Sequence, residues 1–258
     1  MIEGIEEECH RLGYEMVISH VDQRNPNYQK QVRDLLEEQG VGIILLGTEM
    51  MDGDLSLYRN ASCPVLLLDH WTESMDFNSV LINNADAARA ITEHLLDNGH
   101  REVGYLRGNY RIKAFRSRFI GFQTALKKYK VPYKEEYTVT VGTYMSTACQ
   151  DMLEYLKKKP KLPTAFFADN DIIALGAMKA LQEMGYRIPE GICIVGFDDL
   201  TFSEISSPPL TTLRVEKREM GKMAVRRLVE LIDGIGTSTV TKIQVCPKII
   251  YRNTVKNI

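Results

Sequence analysis

The sequence predicts an α/β fold built as two doubly wound parallel-sheet lobes, on three observations. From Val17 onward, short apolar runs alternate with amphipathic stretches, which is the order of strand and crossover helix in a parallel sheet. Runs such as Pro64-Val65-Leu66-Leu67-Leu68 are apolar throughout, the pattern of a strand covered by helices on both faces. At 258 residues the chain exceeds the roughly 100 to 200 residues of one ordinary domain, which gives room for two lobes.

Taken in order, the chain opens on a helix over residues 2–12, followed by a strand over 14–19 around Val17 and Ile18 and a helix over 27–39. Strands follow at 42–46, 64–69 and 78–82, each rich in Val, Ile or Leu. Next come a helix over 84–98, a strand over 102–106, a helix over 115–129, a strand over 137–141, a helix over 145–158 and a strand over 164–168. Lys157, Lys158, Lys159 and Lys161 surround Pro160 at the end of that last helix, where cations complement the helix dipole; this is a helix end rather than a phosphate patch. A helix over 171–185 sets Ile172, Leu175, Met178 and Leu181 along one side and stops at Gly185. After a strand over 192–196, a helix over 217–233 turns Met220, Met223, Ala224, Leu228, Leu231 and Ile232 inward, and Lys217, Arg218, Arg226 and Arg227 mostly to water. The opening helix is unusual, because a doubly wound lobe begins on a central strand, and one more strand is expected upstream of Met1.

Composition narrows the function. Hydrophobic residues are 44% and charged residues 26% of the chain, enough apolar material for a packed core. Thirty-two Lys and Arg against 34 Asp and Glu give a net charge of -2, without the basic excess that counterion release from DNA requires. Cys9, Cys63, Cys149, Cys193 and Cys246 are scattered and show no CxxC spacing, which fits a reducing cytoplasm better than a disulfide framework or a zinc site. The first residues carry three acids at Glu6, Glu7 and Glu8 and no long apolar run, so neither an export signal nor a membrane span is expected.

In open parallel sheets, ligands bind beyond the carboxyl ends of the strands. There the sequence places Asp69 with His70 and Trp71, Asp169 with Asn170 and Asp171, and Asp198 with Asp199, while Arg116 and Arg118 lie in the first turn of the helix predicted over 115–129. A polyol presents vicinal hydroxyls that donate and accept, and a carboxylate, a guanidinium fork and an amide hold it together. Asp198, Arg118 and Asn170 supply one of each, and Tyr144 and Trp71 are aromatics placed to cover a sugar ring. Two readings stand for several of these residues. Asp169 and Asn170 also suit capping of the next helix, Asp199 an Asx-type turn, Arg116 a surface ion pair, and Trp71 packing at a lobe edge. GxGxxG after a strand, GxxxxGK[ST], GxSxG and HExxH are all lacking, and His10, His20, His70, His94 and His100 show no metal-ligand spacing. Neither a catalytic residue, nor a metal, nor a cofactor is therefore expected.

One set of spacings is specific. Ala168-Asp169-Asn170-Asp171, Ala174 and Gly176, then Gly185, Pro189, Val195-Gly196-Phe197-Asp198-Asp199, Pro208, Leu210-Thr211-Thr212, Met220-Gly221 and Ala224 follow in order, preceded by Ile82-Asn83-Asn84, His94-Leu95, Gly99-His100-Arg101 and Arg118-Phe119-Ile120-Gly121-Phe122. Over nearly the whole chain this resembles the core of the lactose-repressor and galactose-repressor (LacI/GalR) family; Ala87, Val215 and Lys217 depart from the pattern. The resemblance implies a core of the type I periplasmic-binding-protein kind, its two lobes joined by a three-strand hinge with crossings near Ile82 to Asn84, Arg214 to Lys217 and Thr237 to Thr241. Residues 1–82 plus 217–237 would form the amino-terminal lobe, and 83–214 plus 241–258 the carboxy-terminal lobe. It further implies a helix-turn-helix headpiece and a first strand that lie outside these 258 residues, and a homodimer that reaches operator DNA only through that headpiece. A small sugar or related polyol would sit in an interlobe cleft as effector of a cytoplasmic repressor working by allostery. Arg118, Asn170 and Asp198 would be its central contacts, Asp69 a contact from the other lobe, and Tyr144 the stacking aromatic. The rivals are a solute-binding protein of a sugar importer, against which the missing export signal speaks, and a nucleotide-dependent oxidoreductase, against which the missing phosphate loop speaks.

With a net charge of -2, the chain alone is expected to leave duplex DNA unshifted in a gel at about 0.15 M salt. A salt-sensitive shift by these residues would contradict the regulator-core reading.

Overall fold

The computed structural model describes residues 1–37, 40–48, 50, 52–110, 112–235 and 239–258. The chain divides into two compact units, Met1–Ile82 with Glu216–Val245, and Asn83–Val215 with Cys246–Ile258.

In the first unit a parallel sheet runs in the order β1 (Ile43–Leu46), β2 (Val65–Leu68), β3 (Asn78–Ile82), β9 (Lys242–Val245). β2 is central, and Leu66, Leu67 and Leu68 are fully buried, as an all-apolar strand between two helical layers should be. Helix α8 (Lys217–Ile232) packs on β1, β2 and β3 and against α1 (Ile2–Arg11). Helix α2 (Tyr28–Glu37) brings Tyr28 and Val32 to a second cluster with Leu55, Tyr58, Leu67 and Phe77.

The strand predicted over 14–19 does not form. Those residues have no ladder partner among the described residues, and Val17 and Ile18 are 83% and 63% exposed. A strand exists through its neighbour's hydrogen bonds, and apolar alternation alone does not make one. A second correction concerns residues 241–245, assigned by sequence to the carboxy-terminal lobe. Ser79 to Ile82 pair in parallel with Lys242 to Val245, so this segment belongs to the first unit and the chain passes over between Val245 and Cys246. Thr237 and Ser238, where the crossing was expected, and residues 38–39 of the second predicted helix lie outside the described residues.

In the second unit the sheet order is β5 (Thr138–Val141), β4 (Val103–Gly108), β6 (Ala165–Ala168), β7 (Cys193–Val195), again parallel. Helices α3 (Asn84–Asp97) and α4 (Lys113–Lys128) pack as one pair, and α5 (Met145–Lys157) and α6 (Asp171–Glu183) as another. A core of Leu106, Val139, Met152, Phe166, Ile173, Leu181 and Ile194 lies beneath the second pair. α6 ends as the sequence predicts, with Gly185 at φ 84 and the Tyr186 N–H closing on the Leu181 carbonyl at 2.9 Å. Among the elements not foreseen are β9 of the first unit, the short helix α7 (Thr201–Ile205), and the antiparallel pair β8 (Thr212–Arg214) and β10 (Lys248–Ile250).

Glycine sets how closely the helices approach. A Cβ on Gly121 of α4 would lie 2.1 Å from the Ala85 carbonyl oxygen of α3, and one on Gly176 of α6 would lie 2.6 Å from that of Met145 in α5. In the first unit, a Cβ on Gly221 of α8 would lie 2.4 Å from the Met1 carbonyl oxygen at the head of α1. All three obstacles are backbone, which cannot turn aside as a side-chain tip does. Gly121→Ala and Gly176→Ala are each expected to destabilise the protein by about 1–3 kcal/mol despite alanine's better helix propensity. Melting temperatures equal to or above wild type would show that these helices have room to separate.

Candidate ligand-binding site

Because β4, β6 and β7 run parallel, their carboxyl ends share one edge of the second sheet, and the turns that leave them become neighbours. After β6 come Asp169 and Asn170; after β7 come Gly196, Phe197 and Asp198. Arg118 approaches this edge from α4, in the second turn rather than the first because the helix already starts at Lys113.

Arg118 is buried and held on several sides. Its Nε donates to Asn84 Oδ1 at 2.9 Å, its Nη1 donates to the Asp169 carbonyl at 2.6 Å, and its Nη2 lies 3.5 Å from Asp198 Oδ1. The guanidinium carbon sits 3.6 Å from the centre of the Phe197 ring, a stacked cation–π contact on a fully buried aromatic. The approach to Asp198 is well beyond the roughly 2.7–2.9 Å of a closed charge-assisted hydrogen bond. The pair is loose, and a hydroxyl lying beside both groups can accept from the guanidinium and donate to the carboxylate.

Asn170 has two roles in one side chain. Its Oδ1 accepts from the Ile173 N–H at 3.0 Å, capping α6, and among the described residues its amide nitrogen has no acceptor and is left to donate. The expectation that Asp169 caps this helix is corrected. Asp169 is fully buried, and its carboxylate accepts from the Tyr105 hydroxyl and from the Gly108 N–H at 2.8 Å, tying β6 to β4. Asp171, also buried, accepts from the Ser203 hydroxyl at 2.6 Å, the Leu200 N–H at 2.9 Å and the Thr212 hydroxyl, tying the same turn to α7 and β8.

Arg118, Asn170 and Asp198 thus meet at one edge. Tyr144 precedes α5 and is 75% exposed, and its ring makes no aromatic or cation contact among the described residues. Asp69 and Trp71 belong to the first unit. Asp69 follows β2 with φ 56, and its carboxylate accepts from the Thr48 hydroxyl at 2.7 Å. His70 is buried, with Nδ1 2.8 Å from the Gly47 carbonyl; Trp71 is 45% exposed. Sequence reasoning missed Asn84 and Phe197 as supports of Arg118, and Thr48 as the partner of Asp69. Asn84 and Phe197 stand inside the motifs quoted above, but nothing local says that a residue 34 positions before Arg118 orients its guanidinium. Among the described residues no group of three His, Cys, Asp or Glu is placed to hold a metal, the five cysteines are free thiols, and no helix is long and apolar enough to cross a membrane.

The doubly wound second unit, with a cation, an amide and a carboxylate gathered at the carboxyl edge of its sheet, has the architecture of the periplasmic-binding-protein class. Residues 92–255 match the periplasmic binding protein-like domain family. The chain is 31% identical over 260 residues to the HTH-type transcriptional repressor PurR of Mannheimia succiniciproducens and 30% identical over 261 residues to that of Vibrio parahaemolyticus, covering all of this chain and 77% of each relative. Among solved structures it is similar to a LacI transcriptional regulator from Bacillus cereus subsp. cytotoxis, with TM-score 0.88, 27% identity, and coverage of 100% of this chain and 91% of that one. The fold is also that of the transcriptional regulator CelR in complex with cellobiose, with TM-score 0.88, 24% identity, and coverage of 98% and 77%. The chain belongs to the LacI/GalR family of transcription regulators, and it is a regulator's ligand-responsive core rather than an importer's binding protein.

Burial dominates the two anchoring carboxylates. It pushes Asp169 up to about 7 and Asp171 up to about 6, against the hydrogen bonds from Tyr105, Gly108, Ser203 and Thr212, which pull the other way. Both folded values lie above the ordinary Asp value of 3.8, so the folded state holds more protons than the unfolded chain across that window. These two acids therefore contribute stability that is present below about pH 4 and lost as the pH rises to about 7, while His94 and His100, lowered by burial, act in the opposite sense. Asp169→Asn should flatten that slope in melting experiments, and an equal slope in the variant would remove Asp169 as its source. Glu8 and Glu102, both lowered to about 2 by their cationic partners, act in the opposite sense between about 2 and 4.5.

Proposed function

We propose that this core senses a neutral sugar or related polyol, held by Arg118, Asn170 and Asp198, with Tyr144 stacking on its ring. The observation that carries this reading is the open pairing of Arg118 with Asp198, 3.5 Å apart and fixed from behind by Asn84, Asp169 and Phe197. A preorganised guanidinium loses little freedom when it binds, and a neighbouring carboxylate balances its charge, so the edge favours neutral, hydroxyl-rich guests over anions. Relatives of the same fold were solved with ribose or cellobiose bound, which supports the sugar class.

On this reading the chain binds and does not catalyse. Effector occupancy favours one conformation, a homodimer carries the difference to two helix-turn-helix headpieces, and operator half-site spacing is gained or lost. The protein works in the cytoplasm, where the operator is. A coupling of about 1–3 kcal/mol between effector and operator is enough for a many-fold change in occupancy. The named function of the full-length relatives, HTH-type transcriptional repression, supports this assignment.

A thermal-shift screen of the chain against pentoses, hexoses and disaccharides, ribose and cellobiose included, is expected to give a stabilising hit. Asp198→Ala should abolish it and leave the melting temperature without sugar within a few degrees of wild type. An undiminished shift in the variant would remove Asp198 from the site, and shifts only with anionic ligands would overturn the polyol class.

A further inference from the structure

Asp198 and Asp199 stand in succession in left-handed backbone, at φ 110 and 48. Side chains rarely tolerate either value, and two together persist only where the surroundings leave the chain no other path. Two constraints are visible. The Asp198 N–H donates to the Leu213 carbonyl at 2.8 Å, and the Gly196 N–H to the Thr211 carbonyl at 3.0 Å, so the turn after β7 runs beside β8. Asp199 turns its carboxylate away from Arg118 into a clamp of its own. Oδ2 accepts from Arg214 Nε at 2.6 Å, and Oδ1, buried and without a hydrogen bond, lies 2.7 Å from Arg252 Nη2 as a charge contact. Arg252 is itself fixed, its Nη1 donating to the Leu210 carbonyl at 2.9 Å and its backbone N–H to the Thr211 hydroxyl at 2.9 Å.

We infer that Asp199 is a positioning residue for the binding site: gripped by Arg214 and Arg252, it forces the reversed backbone that turns the Asp198 carboxylate toward Arg118. The two adjacent acids divide the work. One faces the guest and must stay open; the other is neutralised from two directions and spends its charge on geometry. The clamp also has an address. Arg214 is the last residue of β8, paired with Lys248 of β10, and the chain leaves the second unit immediately beyond Val215 and re-enters it at Cys246. A displacement of Asp198 on binding therefore pulls, through Asp199, on the strand next to which the chain changes units.

The role of Asp198 as a guest contact rests on the proposed function; the clamp itself does not, and the two are separable. Asp199→Asn keeps size and tolerance of the left-handed region and removes the charge. Arg214→Gln, at a side chain 47% exposed, breaks one arm with little risk to folding. Residue-resolved hydrogen exchange on the sugar-free chain should show the Asp198 and Gly196 amides exchanging about tenfold or more faster in both variants, with the Phe166 and Phe167 amides of β6 unchanged. Unchanged protection at Asp198 in both variants would overturn the inference whatever the ligand. In parallel, the dissociation constant for ribose or cellobiose, whichever stabilises the wild-type chain, should rise about tenfold in each variant, and the Asp199→Asn, Arg214→Gln double variant should add little to either single one. Faster exchange with no sugar binding by wild type would uphold the clamp and count against the polyol reading alone. Faster exchange with undiminished affinity would show that the clamp does not position Asp198 for binding.

Discussion

The second unit hangs on one turn, Asp169-Asn170-Asp171, and on the cost of burying charge there. An unpaired carboxylate in a protein interior is prohibitively unfavourable, so each of these acids recruits donors: Tyr105 and Gly108 from β4 around Asp169, and Ser203, Leu200 and Thr212 from beyond β7 around Asp171. The elements cannot drift apart without stranding an acid. Between the two anchors Asn170 is left at the edge, its backbone fixed on both sides, and the carbonyl of Asp169 is left to orient Arg118. The groups proposed to meet a guest are positioned by neighbours that do not.

Much of this was legible in the sequence, because parallel sheets write themselves locally. An all-apolar run such as Val65 to Leu68 followed by an amphipathic stretch carries its own period, and the strand-end rule then points to Asp69, Asn170 and Asp198 without any contact being known. What failed did so where structure depends on a distant partner. Residues 14–19 read as a strand by composition, yet no described neighbour pairs with them. The β8–β10 ladder is three residues long on each side, too short to leave a periodic signature. Asp169 and Asn170 present the same ambiguity at one turn: both residue types cap helices and both anchor strands, and only the position of Tyr105, 64 residues upstream of Asp169, assigns one role to each.

The stacking of Arg118 on Phe197 explains how a regulator core keeps a guanidinium ready without a bound anion. The ring offers its electron-rich face and is itself locked in the core, so the cation is neither solvated freely nor paired fully. Lysine in the same place would lose the planar contact and the parallel donors together.

The helix pairs of this chain meet backbone to backbone at Gly121, Gly176 and Gly221, and that arrangement decides where the molecule can change. At those points a larger side chain would meet backbone, so substitution there is resisted on steric grounds. By contrast, the rings of Tyr144 and Trp71 are exposed. A scaffold with frozen joints and a free rim lends itself to acquiring a new guest by a few local exchanges.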